Sequence, residues 1–304
     1  MIKPSIACNI TIVILTFKRD DILGTQASRL EQLYQSQPLF KVVIVDNNAD
    51  GTCRGRFFED KGYEFLVMRP EKNLGVAGGR NLGLSVVDTE FMVFWDDDAI
   101  VTGSFSLRLL VDLFRSDSQL GVVAFRSLNP GTGKIDAAEF PHTNKSLRES
   151  EQSFYTFRFI GVGHAMRTDI LTKAGTYDVS FFYGMEEFDL AYRILNQDYK
   201  ILYDPRFSLH HHKHSSGRLR SNEKWMRSYS NKLKLAFKNL PFRHVCAVAS
   251  LWFFYSAFKA RSLKVPFIAI QDFLVWKKLN NTKRLPIGKD ALQYIKNCGG
   301  RSFV

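Results

Sequence analysis

Three adjacent carboxylates, Asp96, Asp97 and Asp98, are the residues of this 304-residue chain that most clearly suggest chemistry. They follow directly on an apolar run, residues 91–95, that predicts a buried strand. Because adjacent like charges repel one another, a fold that places them at the end of a strand has to offset them with a cation. The triplet therefore indicates a divalent-metal site, and the alternative is a solvated acidic turn.

A second group of carboxylates and a run of histidines could serve the same site. Glu186, Glu187 and Asp189 open a predicted amphipathic helix. The helix macrodipole favours acids there, but three acids in four residues exceed what capping needs. Histidines occupy positions 210–212 and 214. Since neutral imidazole is a good ligand for first-row metals, one of them could complete the metal site; a surface histidine cluster is the alternative.

A glycine-rich loop, residues 73–83 (NLGVAGGRNLG), opens another predicted helix. Its spacing matches neither the dinucleotide-binding fingerprint nor the P-loop. The glycines allow a ligand to approach the backbone closely, and Arg80 could pair with a phosphate through two hydrogen bonds. Alternatively, the loop is a flexible turn whose Arg80 binds a local carboxylate.

Alternating strands and helices must position these groups. Apolar or β-branched runs at residues 10–15, 41–45, 65–69 and 91–95 predict strands with helical patterns between them. The pattern predicts an α/β fold with a mainly parallel sheet flanked by helices. Ligands bind outside the carboxyl ends of such strands, so the clusters TFKR (16–19), DNNADG (46–51) and WDDDA (95–99) should meet at one rim.

The second half of this region is less regular. Strands are predicted at residues 121–126, 157–166 and 199–203, with a turn at Asp204-Pro205 after the last of them. Residues 129–152 predict a long polar loop or hairpin, which is either an acceptor-binding segment or an irregular part of the surface. The glycines of the middle strand would lie near the site, and His164 in the same strand is either a ligand contact or a structural histidine.

Charge divides the chain near residue 213. Residues 1–212 contain 23 Lys and Arg against 27 Asp and Glu, whereas residues 213–304 contain 19 against 3, a net charge of +16. Such a basic segment predicts an anionic partner, either phospholipid head groups or nucleic acid. The four cysteines are scattered without a CxxC pair, which fits a reducing cytoplasm, and the N-terminus is typical of a first strand rather than a signal peptide.

Two apolar, aromatic segments lie inside the basic region. Residues 245–258 are fourteen largely apolar residues between basic flanks, fewer than the roughly 20 that a spanning helix needs. Residues 266–279 repeat the pattern. Both are typical of helices that lie in the membrane interface. The alternative is that their aromatic side chains pack onto the catalytic domain.

Taken in order, six motifs resemble the family-2 type of inverting glycosyltransferase with the GT-A fold, a group that builds bacterial surface polysaccharides. The resemblance covers about residues 10–240. The motifs are TFKR (16–19), VDNNADGT (45–52), NLGVAGGRNLG (73–83), WDDDA (95–99), GMEEFDLAYR (184–193) and HHHKHSS (210–216).

The resemblance implies a donor site for a nucleotide-diphosphate sugar. Residues for the base and ribose pocket would be Thr16, Arg19 and Asp46. Residues near the ribose and diphosphate would be Asn73, Gly79 and Arg80. In the acidic triplet, Asp96 would face the ribose and Asp98 the metal, while Asp97 lies between them and could share the metal.

The resemblance also implies a metal ligand and a base. The metal would be Mg²⁺ or Mn²⁺, and His211, one of three adjacent histidines, would complete its site. By position Glu187 would be the general base. The family usually carries Glu-Asp where this chain has Glu186-Glu187, so Glu186 stays an alternative.

On this basis we expect a metal-dependent inverting glycosyltransferase of the hexosyltransferase type. It would move a sugar to a hydroxyl of a glycan or lipid-linked acceptor in cell-surface polysaccharide synthesis. Residues 1–212 would form the GT-A domain, with the nucleotide-sugar part at about 1–100 and the acceptor part at about 101–212. Residues 213–304 would form a basic helical region that holds a cytoplasmic enzyme to the anionic inner face of the cell membrane.

Two other functions remain as alternatives. A sugar-1-phosphate nucleotidyltransferase would be expected to carry glycine, Arg and Lys in the first strand–helix turn, and TFKRDD contains no glycine. A non-enzymatic nucleic-acid-binding protein would use the basic segment. The acidic first 212 residues and the lack of a nucleic-acid motif argue against it, so we expect no nucleic-acid partner.

Overall fold

The computed structural model describes residues 9–49, 57–102, 105–213, 221–280 and 284–300. The end of the predicted DNNADG loop, from residue 50, and the end of the histidine motif, from residue 214, lie outside the described residues.

The described strands form one sheet. They are β1 (Ile10–Thr16), β2 (Phe40–Asp46), β3 (Phe65–Met68), β4 (Phe91–Asp96), β5 (Ala99–Val101), β6 (Leu120–Leu128), β7 (Phe154–Thr156), β8 (Gly163–Arg167) and β9 (Lys200–His211). Their order in the sheet is β3-β2-β1-β4-β8-β6-β9-β5, and β7 pairs with β9.

The α-helices of the described residues lie between and after these strands. They are α1 (Asp20–Ser36), α2 (Gly75–Leu84), α3 (Leu107–Ser116), α4 (Ile170–Ala174), α5 (Glu186–Leu195), α6 (Ser221–Asn239), α7 (Phe242–Ala260), α8 (Lys264–Asn280) and α9 (Lys289–Asn297). Two short 3-10 helices, Ala137–Glu139 and Lys145–Glu149, interrupt the predicted long loop.

The predicted α/β fold is confirmed, and its two halves differ in strand direction. Strands β1 to β4 are parallel to one another. In the second half β8 runs antiparallel to both β4 and β6, while β5 and β7 run antiparallel to β9. The sheet is therefore mixed: its parallel pairs are those among β1 to β4 and the pair of β6 with β9.

Helices cover both faces of the sheet. Ile10, Ile12 and Ile14 of β1 pack in one hydrophobic cluster with α1 and α3. Val13 of the same strand belongs to a second cluster, which includes α2 and α5. Successive strand residues point to opposite faces, so the uninterrupted apolar run of β1 follows from burial on both sides.

The C-terminal helices share the second cluster. Leu235 and Leu240 at the end of α6 and Ile295 of α9 are buried in it together with residues of α5 and the sheet. Helices α7 and α8 pack mainly against α6, around Tyr229 and Leu233. No helix among the described residues combines the length and apolar character needed to cross a membrane. The division of the chain at residue 213 stays a prediction.

Candidate active site

The carboxyl ends of three neighbouring strands lie side by side. Thr16 at the end of β1 is opposite Asp46 at the end of β2, and Leu15 is opposite Asp96 at the end of β4. The polar clusters that follow these strands therefore meet at one edge of the sheet, as predicted from their positions.

The acidic triplet is held by side chains of the first strand–helix connection and of α1. The carboxylate of Asp97 is 2% exposed and accepts hydrogen bonds from Thr16 Oγ1 at 2.7 Å and Arg19 Nη1 at 2.6 Å. Gln26 of α1 donates a hydrogen bond to the Asp97 carbonyl oxygen. Burial raises the pKa of Asp97 to about 7, against the opposing effect of Arg19. Arg19 Nη1 also donates to Asp98 Oδ2 at 2.9 Å. Thr16 and Arg19 therefore position the triplet, Thr16 through Asp97 and Arg19 through both Asp97 and Asp98.

Asp96, Asp98 and His211 form the cluster that could hold a metal ion. One ligand atom from each lies within 4.8 Å of the others. Strand pairing selects the histidine, because β5 and β9 place Ala99 opposite His211 and the backbone N–H of His212 donates to the Asp98 carbonyl. Two carboxylates and an imidazole suit Mn²⁺ or Mg²⁺, so the residues present fit the predicted ion.

Glu139, which the sequence did not single out, contacts the other side of the His211 ring. Its Oε2 lies 3.0 Å from His211 Nδ1, while His211 Nε2 lies 3.2 Å from Asp98 Oδ1. Ser127 Oγ and Lys213 Nζ contact the same glutamate, at 2.6 Å each. Burial alone would lower the pKa of His211, but the adjacent carboxylates of Asp98 and Glu139 outweigh it and raise the pKa to about 10. Metal binding would replace the proton held there.

Arg80 of α2 lies among carboxylates. Its Nη1 is 2.7 Å from Glu187 Oε1 and 3.4 Å from Glu186 Oε1, and its Nη2 is 3.6 Å from Asp96 Oδ1. The guanidinium is 4% exposed. It therefore links the metal-side carboxylate to the two glutamates, and its predicted place near the ribose and diphosphate stays a prediction.

Gly161 has no side chain, which leaves space for the ion pair between Arg80 and Glu187. A Cβ at that position would overlap Oε1 of Glu187 and Nη2 of Arg80. The Gly161 carbonyl oxygen also accepts a hydrogen bond from Arg80 Nη2 at 3.3 Å. The predicted strand over residues 157–166 placed glycines near the site, and this glycine lies there although the strand itself begins at Gly163.

The two glutamates at the start of α5 differ in environment. The side chain of Glu186 is 3% exposed and that of Glu187 is 12% exposed. Burial, with the neighbouring carboxylate of Glu187, raises the pKa of Glu186 well above its usual range. Met185 precedes them with a φ of 80°, a left-handed conformation that is rare for a residue with a side chain. A turn held in that conformation directs the first turn of α5 towards Arg80.

The remaining residues of the predicted donor pocket are held by polar neighbours. Asp46 accepts hydrogen bonds from Asn48 and pairs with Arg69 Nε at 3.0 Å. Asn47, part of the predicted DNNADG loop, donates to Asn73 Oδ1 at 3.0 Å. These contacts join the end of β2 to the loop before α2.

Gly79 has a packing role in the described structure. A Cβ there would overlap Cδ1 of Leu15, so the glycine lets α2 lie close to β1. Its predicted ligand contact, like the roles of the other donor-site residues, stays a prediction.

His164 is a buried structural residue. Its Nδ1 lies 3.0 Å from the Ile160 carbonyl oxygen and its Nε2 lies 2.8 Å from the Tyr177 hydroxyl. Of the two interpretations, the structural one describes this histidine. Two residues that the sequence missed, Gln26 and Glu139, act through backbone or long-range contacts that carry no local motif.

Known proteins resemble this chain over most of its length. Residues 11–175 match the sequence model of glycosyl transferase family 2. An uncharacterized protein of Haemophilus influenzae is 28% identical over 172 residues, which are 55% of this chain and 91% of that protein.

Solved structures share the fold at low sequence identity. The mannosyltransferase PcManGT from Pyrobaculum calidifontis, in complex with GDP-Man and Mn²⁺, has a TM-score of 0.57 at 15% identity over 97% of this chain and 81% of its own. TarS of S. aureus has a TM-score of 0.55 at 12% identity over 82% of this chain and 43% of its own. GalNAc-T7 with UDP, GalNAc and Mn²⁺ has a TM-score of 0.54 at 14% identity, covering 90% and 58%. At sequence identities of 12–15%, these similarities show a shared fold only.

Proposed function

Since this chain belongs to glycosyl transferase family 2 and has the GT-A fold, we propose that it is a metal-dependent inverting glycosyltransferase of the hexosyltransferase type. The donor would be a nucleotide-diphosphate sugar, and the acceptor group a hydroxyl of a glycan or of a lipid-linked saccharide. The product would enter cell-surface polysaccharide synthesis.

One arrangement carries this proposal. A carboxylate–carboxylate–imidazole cluster, Asp96, Asp98 and His211, lies at the strand ends, and Arg80 joins it to Glu187 on α5. The structural neighbours crystallised with Mn²⁺ and with GDP-Man or UDP support the same combination of metal and nucleotide.

The cluster would hold Mg²⁺ or Mn²⁺. When bound, such an ion neutralises the negative charge that develops on a departing nucleoside diphosphate. Asp98 and His211 would bind it directly, and Asp96 would lie between the ion and the ribose. Thr16 holds this triplet in place through Asp97, and Arg19 through both Asp97 and Asp98, while Asp46 and Asn73 would line the base and ribose pocket.

Glu187 would act as the general base. Its carboxylate would take the proton from the acceptor hydroxyl as the oxygen attacks the anomeric carbon opposite the leaving group. A single in-line displacement inverts the configuration at that carbon. The ion pair with Arg80 fixes the direction of the Glu187 carboxylate. Burial and the neighbouring Glu187 carboxylate raise the pKa of Glu186 well above its usual range, which disfavours the ionised form that a general base needs, so Glu186 is the poorer candidate.

We place the enzyme in the cytoplasm, at the inner face of the cell membrane. The net charge of +16 over residues 213–304 supports contact with anionic head groups. A lipid-linked acceptor would be available at that surface.

The test is sugar-nucleotide turnover by the purified protein. A panel of UDP-, dTDP- and GDP-sugars is incubated with Mg²⁺, Mn²⁺ or EDTA, and release of the nucleoside diphosphate is measured. We expect release with at least one donor, only when a divalent metal is present, and loss of it in His211→Gln but not in His212→Gln. His212 is the matched control because it is the exposed neighbour of His211 on the same strand end.

Two results would overturn the proposal. Turnover that is unchanged by EDTA would remove the metal from the reaction. Pyrophosphate release from a nucleoside triphosphate and a sugar 1-phosphate, with no turnover of any sugar nucleotide, would make the protein a nucleotidyltransferase.

A further inference from the structure

Exposed apolar side chains are concentrated on two C-terminal helices. Seventeen large hydrophobic side chains are exposed among the described residues, and eleven of them lie in α7, α8 or the connection between the two helices. The most informative six are 55–77% exposed: Phe254, Phe258, Leu263, Phe267, Leu274 and Leu279. We refer to these six residues as the hairpin face. Surface apolar residues are usually scattered, so this concentration indicates an interaction surface.

The exposed residues follow the helical repeat. Phe254 and Phe258 are four residues apart on α7, and Phe267 and Leu274 are seven apart on α8, spacings that place each pair on one side of its helix. The opposite sides are also apolar, because Val248 of α7 and Ala269 of α8 are buried against the rest of the protein. Each helix therefore has two apolar sides. One is packed against the rest of the protein, and the other is exposed to solvent.

The charges around the hairpin face favour an anionic partner. Residues 242–280 contain six Lys and Arg and one acidic residue, Asp272. Asp272 is already paired with Lys234 of α6 at 3.2 Å. Lys259, Arg261 and Lys264 surround the exposed Leu263 at the connection, and all three are exposed. Protein interfaces are depleted in lysine, whereas apolar side chains bordered by lysine and arginine are typical of helices in the membrane interface.

The hairpin is firmly connected to the candidate active site through α6. Tyr229 of α6 donates a hydrogen bond to the Ala249 carbonyl of α7 at 2.6 Å. Two residues further along, Asn231 donates to the carbonyl oxygens of Tyr183 and Gly184 at 3.0 and 2.8 Å. These two carbonyls belong to the turn that leads into Glu186 and Glu187. A membrane that binds the hairpin would thus lie at a fixed position relative to the predicted acceptor side.

We propose that the α7–α8 hairpin is the membrane-binding surface of this protein. The two helices lie in the plane of the bilayer, with the hairpin face among the acyl chains and the lysines at the level of anionic head groups. This inference rests on the membrane location proposed above and is independent of the catalytic assignment.

Vesicle co-sedimentation of the full chain tests the surface without any substrate. The vesicles are phosphatidylcholine alone or phosphatidylcholine with phosphatidylglycerol in a 3:1 ratio, in 0.15 M salt. We expect binding to the mixed vesicles, at least tenfold weaker partitioning for Phe254→Ser/Phe258→Ser, and a similar loss for Lys259→Gln/Lys264→Gln/Lys278→Gln.

Matched controls replace exposed apolar residues by serine, or exposed lysines by glutamine, at positions outside the hairpin. Leu66→Ser/Tyr155→Ser alters two exposed apolar residues outside the hairpin, and Lys134→Gln/Lys145→Gln/Lys173→Gln removes three exposed lysines of the catalytic region. Both should bind like the wild type. Far-ultraviolet circular dichroism and the melting temperature show that each variant is folded.

The results of these experiments distinguish the hairpin surface from the membrane location and from the catalytic function proposed above. Vesicle binding that is equal in the hairpin variants and their controls would overturn the hairpin surface and leave the membrane location in place. Absence of vesicle binding, with a dimer in sedimentation velocity that Phe254→Ser/Phe258→Ser converts to a monomer, would make the hairpin an interface between two copies. Sugar-nucleotide turnover is measured separately in solution. Its result tests only the catalytic proposal.

Discussion

The carboxylate of Glu139 lies 3.0 Å from Nδ1 of His211, on the opposite side of the imidazole ring from Asp98. A histidine that binds a metal commonly donates its other ring N–H to a carboxylate, which fixes the orientation and tautomer of the ring. Glu139 is itself held by Ser127 and Lys213. It is therefore placed to orient His211 towards an ion that Asp96 and Asp98 would bind, without itself being a ligand.

Replacement of this carboxylate should weaken metal binding. For Glu139→Gln we expect the affinity for Mn²⁺ to fall about 10–100-fold, because the amide keeps the shape but loses the charge that orients the imidazole. Isothermal titration calorimetry with MnCl₂ measures the change. Glu149→Gln is the control, since Glu149 is an exposed glutamate in the same loop. Equal Mn²⁺ affinity in the two variants would rule out the orienting role.

Glu186 and Glu187 should respond differently to the same substitution. In Glu187→Gln we expect the transfer rate to fall by about 10²–10⁴, as for loss of a general base, with donor affinity retained. In Glu186→Gln the fall should be within about tenfold, because a neutral amide resembles the protonated acid that burial favours there. Steady-state kinetics and donor titration test both. A larger loss in Glu186→Gln would exchange the two roles.

Gly161 should be intolerant of a single methyl group. In Gly161→Ala the added Cβ would displace the Arg80–Glu187 ion pair, and a shift of about 1 Å in a catalytic group can lower the rate by about 10²-fold. The transfer rate should fall to that extent while the melting temperature changes little. Gly131→Ala is the control, because the nearest atom to its Cβ would be Asn129 Oδ1 at 3.4 Å. Full activity of Gly161→Ala would show that the ion pair is not needed.

The first half of the fold could be predicted from sequence because its strands are buried on both faces. The apolar runs at residues 10–15, 41–45 and 91–95 correspond to β1, β2 and β4 within one residue at each end. The polar residues at the ends of these strands therefore meet at one edge of the sheet, as predicted. In the second half, β5 and β7 have three residues each, too few for any periodic pattern to appear.

The turn predicted at Asp204-Pro205 was wrong. Strand β9 continues through both residues to His211, and the break appears instead as a shift in its pairing with β6, where Phe125 faces Asp204 but Arg126 faces Ser208. Proline cannot donate a hydrogen bond to a neighbouring strand, so an irregularity inside a strand accommodates it as well as a turn does.

The side chains of the candidate site that belong to a single motif could be predicted from the sequence. The contacts that form between two distant segments could not. The acidic triplet and the histidine run indicated a metal site, but only the pairing of Ala99 with His211 selects the histidine. Glu139 lies in an irregular segment without periodicity, and its contact with His211 spans the fold. The environment of Arg80 depends on α5, far along the chain, which the glycine-rich loop alone does not reveal.

His164 should make the stability of the protein depend on pH. Its imidazole is fully buried, and burial, with the nearby charge of Arg80, holds its pKa well below 6.5. Below about pH 6.5 the unfolded chain binds a proton at this residue and the folded chain does not, so the free energy of unfolding falls as the pH falls. For His164→Gln we expect a loss of about 1–3 kcal/mol at pH 7.5, from the altered hydrogen bonds to Ile160 and Tyr177.

At pH 5 the difference between His164→Gln and the wild type should shrink by up to about 2 kcal/mol, because glutamine does not titrate whereas His164 has to stay neutral in the folded protein. Urea unfolding of both proteins at pH 7.5 and pH 5 gives this difference. Thr11→Val is the control: it removes the buried hydrogen bond between Thr11 and Thr89, which involves no titrating group, and its effect should be equal at the two pH values. A His164→Gln difference that is as large at pH 5 as at pH 7.5 would mean that the folded protein accommodates the imidazolium, which the hydrogen bond from Tyr177 and the proximity of Arg80 both oppose.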